Sequence, residues 1–270
     1  MKVGIDTSLN IFSKVGGSNL SLIADTKAWL GRNPDFVIRP MGNGGGPATP
    51  VTKQEIADTL AIGIAMGLYY NDSPLNGGQT GNYAIGQQDA LNAISQADAL
   101  GAPSSLYLTC DIEESTPGRT PVQVNAEWIH GWCDTMRASR FAGSGCIYGI
   151  VGSGLLNQAL MQALGDDTNG NVHRLFLWPA DWIYRAGLNY VNAAGIAWTP
   201  PVVNPKYASM TQMWQLSGND FNDIADESIC TEAMFQSFWK LSASSVSAPA
   251  STNTNSDKVK ALLQQAISLL

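Results

Sequence analysis

The chain has 270 residues, 44% of them hydrophobic and 14% charged, a balance that suits one large buried core and excludes a disordered chain. Lys and Arg number 15 against 22 Asp and Glu, for a net charge of −7 with no basic cluster, which excludes nucleic acid and anionic membranes as partners. The four cysteines, Cys110, Cys133, Cys146 and Cys230, form no C-x-x-C pair, and the two histidines, His130 and His173, stand at no metal spacing, so no metal site and no cofactor are expected and the thiols read as buried and reduced.

The chain begins directly in a strand, residues 3–7, that closes on Asp6-Thr7-Ser8. It has no apolar leader and no run of membrane-spanning length, so synthesis in the cytoplasm without a Sec signal is expected. Helical spacing covers residues 19–30, and Phe36-Val37-Ile38-Arg39 is a second buried strand stopped by Pro40. The glycine-rich segment 42–47 lacks the Gly-Lys-Ser/Thr of a phosphate loop. Thr52 and Glu55 form a capping box for a helix reaching residue 66, followed by a strand over 67–72 and a helix over 83–100.

Residues 106–109 make a short apolar strand, and carboxylates then arrive abruptly in Asp111-Ile112-Glu113. Alternate residues of a strand share a face, so Asp111 and Glu113 point the same way, roughly 6.5–7 Å apart by the strand rise. Further on come a helix (121–140), a strand (145–151), a helix (155–164), a strand (175–178) closing on Pro179-Ala180-Asp181-Trp182, and a strand (210–216). Between residues 183 and 209 only 195–198 and Val202-Val203 are candidates for an eighth strand.

Strands alternating with helices imply parallel strands joined by crossovers, and polar residues recur at the strands' C-terminal ends. The expected fold is a (β/α)8 TIM barrel or a close derivative, with its site on that face. A doubly wound sheet would carry a glycine-rich turn after its first strand, where Asp6-Thr7-Ser8 stands instead. The barrel is assigned residues 1–242 and a flexible linker 243–256, rich in Ser, Ala, Thr and Asn. Residues 257–270 form an amphipathic helix whose Val259, Leu262, Leu263, Ala266, Ile267 and Leu270 share one stripe. A helix this short is marginal alone, so the stripe docks on its own barrel, on a second copy or on a delivery partner.

Aromatics near strand ends, Tyr70, Tyr148, Trp178, Trp182 and Trp214, are candidates to stack on sugar faces, whereas Trp29, Trp128, Trp132 and Trp239 fall on helices and read as packing. Arg39 either pairs with Asp6 or Asp72 at the barrel mouth or contacts substrate directly. His130 and His173 read as structural. Without further context, the carboxylates are equally a polar mouth that accepts loop N–H bonds.

Four landmarks in order add that context: Gly4-Ile5-Asp6-Thr7-Ser8, Asp111-Ile112-Glu113, Leu177-Trp178-Pro179-Ala180-Asp181-Trp182, and Trp214-Gln215 followed by Ala225-Asp226. In these the chain, over roughly residues 2–242, resembles the glycoside hydrolase family 25 muramidases and the related glycoside-hydrolase-like barrels of bacterial and phage proteins. Phe36-Val37-Ile38-Arg39-Pro40 and Gly67-Leu68-Tyr69-Tyr70 favour the second group. The resemblance implies a peptidoglycan-directed glycosidase with Glu113 as general acid, Asp111, Asp6 and Asp226 supplying the surrounding field, and Asp111 or Asp181 orienting a substrate N-acetyl group. Gln215 joins the substrate contacts, and Asp220 and Asp223 compete with Asp226 for the last carboxylate. The alternative is a barrel that binds cell-wall polysaccharide without turnover. Action at the cell wall after release as a phage lysin, or after delivery as an effector, completes the expectation.

Overall fold

The computed structural model describes residues 1–14, 20–42, 48–112, 123–184, 198–218 and 225–241, with residues 181–184 described by their backbone only. The chain divides into Met1–Lys240 and Leu241–Leu270. The second unit, with the expected linker and amphipathic helix, lies outside the described residues apart from Leu241.

Eight strands close into one barrel in chain order. They are β1 (Lys2–Asp6), β2 (Phe36–Pro40), β3 (Ala65–Tyr70), β4 (Thr109–Asp111), β5 (Cys146–Gly149), β6 (Phe176–Tyr184), β7 (Met213–Ser217) and β8 (Asp226–Cys230). Strands β1 to β7 run parallel, as the alternating pattern predicts. Strand β8 is antiparallel to both neighbours, β1 and β7. The barrel is therefore a derivative of the regular (β/α)8 form. A parallel return needs a crossover of about a dozen residues or more, and only residues 218–225 separate β7 from β8, so the chain doubles back.

That eighth strand corrects the expectation of one at 195–198 or Val202-Val203. Val202 and Val203 are not in a strand, and residues 195–197 lie outside the described residues. The strand before the acidic run is also displaced, since β4 is Thr109–Asp111, with Leu106 and Leu108 buried in its lead-in.

Five helices cross between the first six strands: α1 (Leu22–Leu30), α2 (Lys53–Ala61), α3 (Tyr83–Leu100), α4 (Ala126–Ala138) and α5 (Gly154–Gly165). Their starts are written in the sequence. Thr52 Oγ1 accepts the Glu55 N–H (3.1 Å), Asn82 Oδ1 the Ile85 N–H (3.0 Å) and Asn125 Oδ1 the Trp128 N–H (3.0 Å), each satisfying a donor that the first helical turn leaves orphaned. Helices α3 and α4 approach until a Cβ on Gly86 would lie 2.1 Å from the Trp128 carbonyl oxygen, and one on Gly131 equally close to that of Tyr83. Only glycine permits this contact. Between β6 and β7 the described residues include a 3₁₀ segment, Pro205–Met210.

Strand alternation divides the core. Val3, Ile5, Val37, Trp214, Leu216 and Ile229 face outward, into clusters that include Leu22, Ile23, Trp29 and Leu30 of α1. Phe36, Ile38, Cys146, Trp178, Met213 and Cys230 belong to the main core. A short last helix, α6 (Glu232–Ser237), leads to Phe238, whose ring lies 5.0 Å from that of Phe36, and to Trp239, whose backbone exchanges two hydrogen bonds with Met66. This closes the end of the barrel away from the strands' C-termini. All four cysteines are free and buried, and Trp128 and Trp132 are fully buried and stacked.

Candidate active site

The open end is polar because three strands present a carboxylate there. Asp6 and Asp111 are the last residues of β1 and β4. Asp226 is the first residue of β8, and because that strand runs backwards its beginning stands directly opposite Asp6. Of the three candidate aspartates near the end, Asp226 stands at the mouth, and Asp220 and Asp223 lie outside the described residues.

Gln215 of β7 joins two of these carboxylates. Its Nε2 donates to Asp6 Oδ1 and to Asp226 Oδ2, both at 3.0 Å, and its Oε1 accepts from the Tyr148 hydroxyl at 2.8 Å. Ser228 of β8 donates to Asp6 Oδ2 (2.9 Å) and accepts the indole N–H of Trp178 (3.2 Å). Tyr148 stands beside Asp111 in the ladder and meets Trp178 edge-on at 4.7 Å. Asn76 donates to the Asp111 backbone carbonyl (3.0 Å), tying the loop after β3 to the end of β4.

Asp6 is 9% exposed. Burial pushes its carboxyl well above the usual range and the charge of Asp226 adds to this, the hydrogen bonds from Ser228 and Gln215 pull it back, and Asp111 pushes it further up. Like charges so arranged favour keeping a proton among them, which acid–base chemistry at a glycosidic oxygen requires. Among the described residues no group of His, Cys, Asp and Glu could hold a metal ion.

Several expected contacts lie elsewhere. Arg39 is fully buried and pairs with neither Asp6 nor Asp72. Its Nε donates to Glu55 Oε1 (2.8 Å), Nη1 to the Thr7 carbonyl (2.7 Å) and Nη2 to the Thr49 carbonyl (2.8 Å). The Glu55 carboxylate also accepts the Ile11 N–H, so it serves this pair and does not complete the capping box. Arg39 thus braces the loops after β1 and β2, and its buried guanidinium presents no surface at the mouth. Tyr70 points outward, its hydroxyl 3.3 Å from Asp89 of α3. By alternation its neighbour Tyr69 is the β3 tyrosine that faces the interior. Trp214 packs outside the barrel with Val3 and Ile229. Trp178 and Gln215 do face the mouth, but at 2% and 1% exposure they offer a sugar no surface. Tyr148, half-buried, remains at the mouth.

Glu113 lies outside the described residues, two positions past β4, and Asp181 and Trp182 are in β6 with side chains outside them. His130 is half-buried on α4, and exposed His173 pairs with Asp167 at 2.5 Å. Sequence reasoning missed Ser228, Tyr69 and Glu55. Strand register was the signal for the first two, and it becomes readable only once β8 and the outward direction of Tyr70 are known.

The family model described as Rv2525c-like, glycoside hydrolase-like domain matches residues 27–229. No curated protein matches the chain. Among solved structures, an uncharacterised protein of B. stearothermophilus is 21% identical, with a TM-score of 0.70 over 88% of this chain and 100% of its own. The Tat-secreted protein Rv2525c of Mycobacterium tuberculosis, in complex with HEPES, is 13% identical, with a TM-score of 0.52 over 88% of this chain and 98% of its own. A muramidase from Trichobolus zukalii is 13% identical, with a TM-score of 0.48 over 86% of this chain and 94% of its own. At these identities the likeness concerns the fold.

Proposed function

Because the chain belongs to the Rv2525c-like, glycoside hydrolase-like domain family, we propose that it is a peptidoglycan-directed glycosidase of muramidase type with Glu113 as its general acid. The observation that carries this reading is the convergence of Asp6, Asp111 and Asp226 on one barrel mouth, where their charges act on one another. Cleaving a glycosidic bond requires a proton for the leaving oxygen and stabilisation of positive charge developing on the sugar. Glu113, two residues beyond Asp111, supplies the proton, and the field of the three aspartates favours its protonated form before reaction. Asp111 or Asp181 orients the substrate's N-acetyl group, whose carbonyl oxygen attacks the anomeric carbon. On this reading the place of action is the bacterial cell wall.

A second reading, a barrel that binds wall polysaccharide without turnover, is favoured by the engagement of Asp6 and Asp226 with one Gln215 amide. Incubation with purified peptidoglycan, followed by mass analysis of the released fragments and a pull-down on insoluble wall, separates the two. Glycosidase action predicts new reducing ends, a loss of about 10²-fold or more in Glu113→Gln with binding retained, and a marked loss in Asp111→Asn. Binding without fragments in the unmodified protein supports the second reading, and full activity in Glu113→Gln removes that residue from the mechanism.

A further inference from the structure

The hydrogen bonds around Asp6 have a direction. The indole N–H of Trp178 can only donate, so Ser228 Oγ accepts it and turns its own hydrogen to Asp6 Oδ2. Gln215 has two orientations about its terminal torsion. In one, Oε1 takes the Tyr148 hydroxyl hydrogen and Nε2 gives one hydrogen each to Asp6 and Asp226. In the other, a carbonyl oxygen would face two carboxylate oxygens at that same range, acceptor against acceptor. The two carboxylates therefore select the first, and the Tyr148 hydroxyl, by giving its hydrogen to Oε1, holds the amide in that place.

Both branches end on Asp6. Among the described residues the charged groups that act on it are Asp226 from β8 and Asp111 from β4. From β2 the ladder partner is Ile38, while Arg39 turns away to Glu55. The two donors thus oppose burial and two negative charges.

We propose that Tyr148 and Trp178 are positioning residues: by holding Gln215 and Ser228 in place as hydrogen donors to Asp6, they set the pH at which Asp6 exchanges its proton. Trp178, at 2% exposure, acts from beneath the mouth, and Tyr148 acts from its edge. The consequence for turnover rests on the glycosidase reading; the consequence for Asp6 does not.

The test follows isotope-labelled aspartate carboxyls of the full chain by NMR from acid to alkaline pH. Tyr148→Phe keeps the ring against Trp178 and removes the hydroxyl that holds Gln215, so the Asp6 midpoint should rise by about one pH unit, the scale of one hydrogen bond to a charged group. Ser228→Ala, which removes the other donor, should raise it similarly. Tyr70→Phe, whose hydroxyl meets Asp89 outside the barrel, should leave it in place. An Asp6 midpoint that is unchanged or lower in either folded variant overturns the proposal. If the protein hydrolyses wall fragments, the acid limb of its pH–rate profile should move up in the first two variants as well. If it hydrolyses none, the glycosidase reading fails while the titration still decides this one.

Discussion

Arg39→Met tests how much of the mouth depends on a pair buried behind it. The side chains of Arg39 and Glu55 are 0% and 1% exposed, so the substitution leaves the Glu55 carboxylate in the interior with the Ile11 N–H as a remaining donor. It also strips the donors from the Thr7 and Thr49 carbonyls. Removing one partner of a buried ion pair costs about 3–5 kcal/mol, because the surviving charge is uncompensated. For a chain of this size each kcal/mol lowers Tm by about 2–4 °C, so a drop on the order of 6–20 °C is expected in thermal unfolding followed by circular dichroism, with a matching fall in the urea midpoint. Replacing both residues, Arg39→Met with Glu55→Leu, should recover a large part of the loss, since no buried charge then remains. The loop after Asp6 should still be looser in the double variant, which hydrogen exchange at Thr7 to Ile11 would register. A loss below about 1 kcal/mol in Arg39→Met, or a double variant worse than the single one, would refute the claim that an uncompensated charge is the dominant cost.

Asp6 makes stability depend on pH in a definite sense. A carboxyl that holds its proton more tightly when folded stabilises the fold most in acid, and that contribution is lost as pH rises through its raised folded value. Asp6→Asn, which cannot ionise, should therefore gain on the unmodified protein between mildly acidic and neutral pH in urea titrations; a constant or shrinking difference counts against the assignment. Burial pushes the Cys146 thiol up to about 12 and those of Cys110, Cys133 and Cys230 upward as well. A thiol-reactive disulfide reagent should accordingly label the native protein only slowly and all four cysteines after unfolding, and rapid native labelling would contradict the packing. Truncation after Ser242 should leave the barrel folded and any action on soluble wall fragments intact while changing oligomeric state or partner binding; unfolding of the truncated chain would make residues 243–270 part of the core.

The barrel was legible because its evidence is local. Apolar runs, capping residues such as Thr52, Asn82 and Asn125, and carboxylates at strand ends are each read within a few residues, and their alternation fixes the parallel part of the topology. Asp6 and Asp111 could be named from position alone for the same reason. Strand β8 was not legible in this way. Asp226-Glu227-Ser228 begins it with polar residues, and nothing local reveals that their inward partners are Asp6, at the other end of the chain, and Gln215 of the preceding strand.

What the sequence by itself determined is the kind of fold, the end of it where polar residues gather, and the residue types found there. Only the tertiary structure decided direction and partnership. Tyr69 and Tyr70 are the same residue type in adjacent positions, and it takes Asp89 on a packed helix to turn Tyr70 outward. Arg39 has carboxylates on several loops within nominal reach, and Glu55 wins because it is buried in the same place and a desolvated guanidinium must be paired where it lies. Trp178 and Gln215 look like ligands for a sugar until closure of the barrel buries them against Ser228, Tyr148 and two aspartates. A side chain's period along a strand is set by its neighbours in sequence, whereas what it touches is set by which strands close beside it.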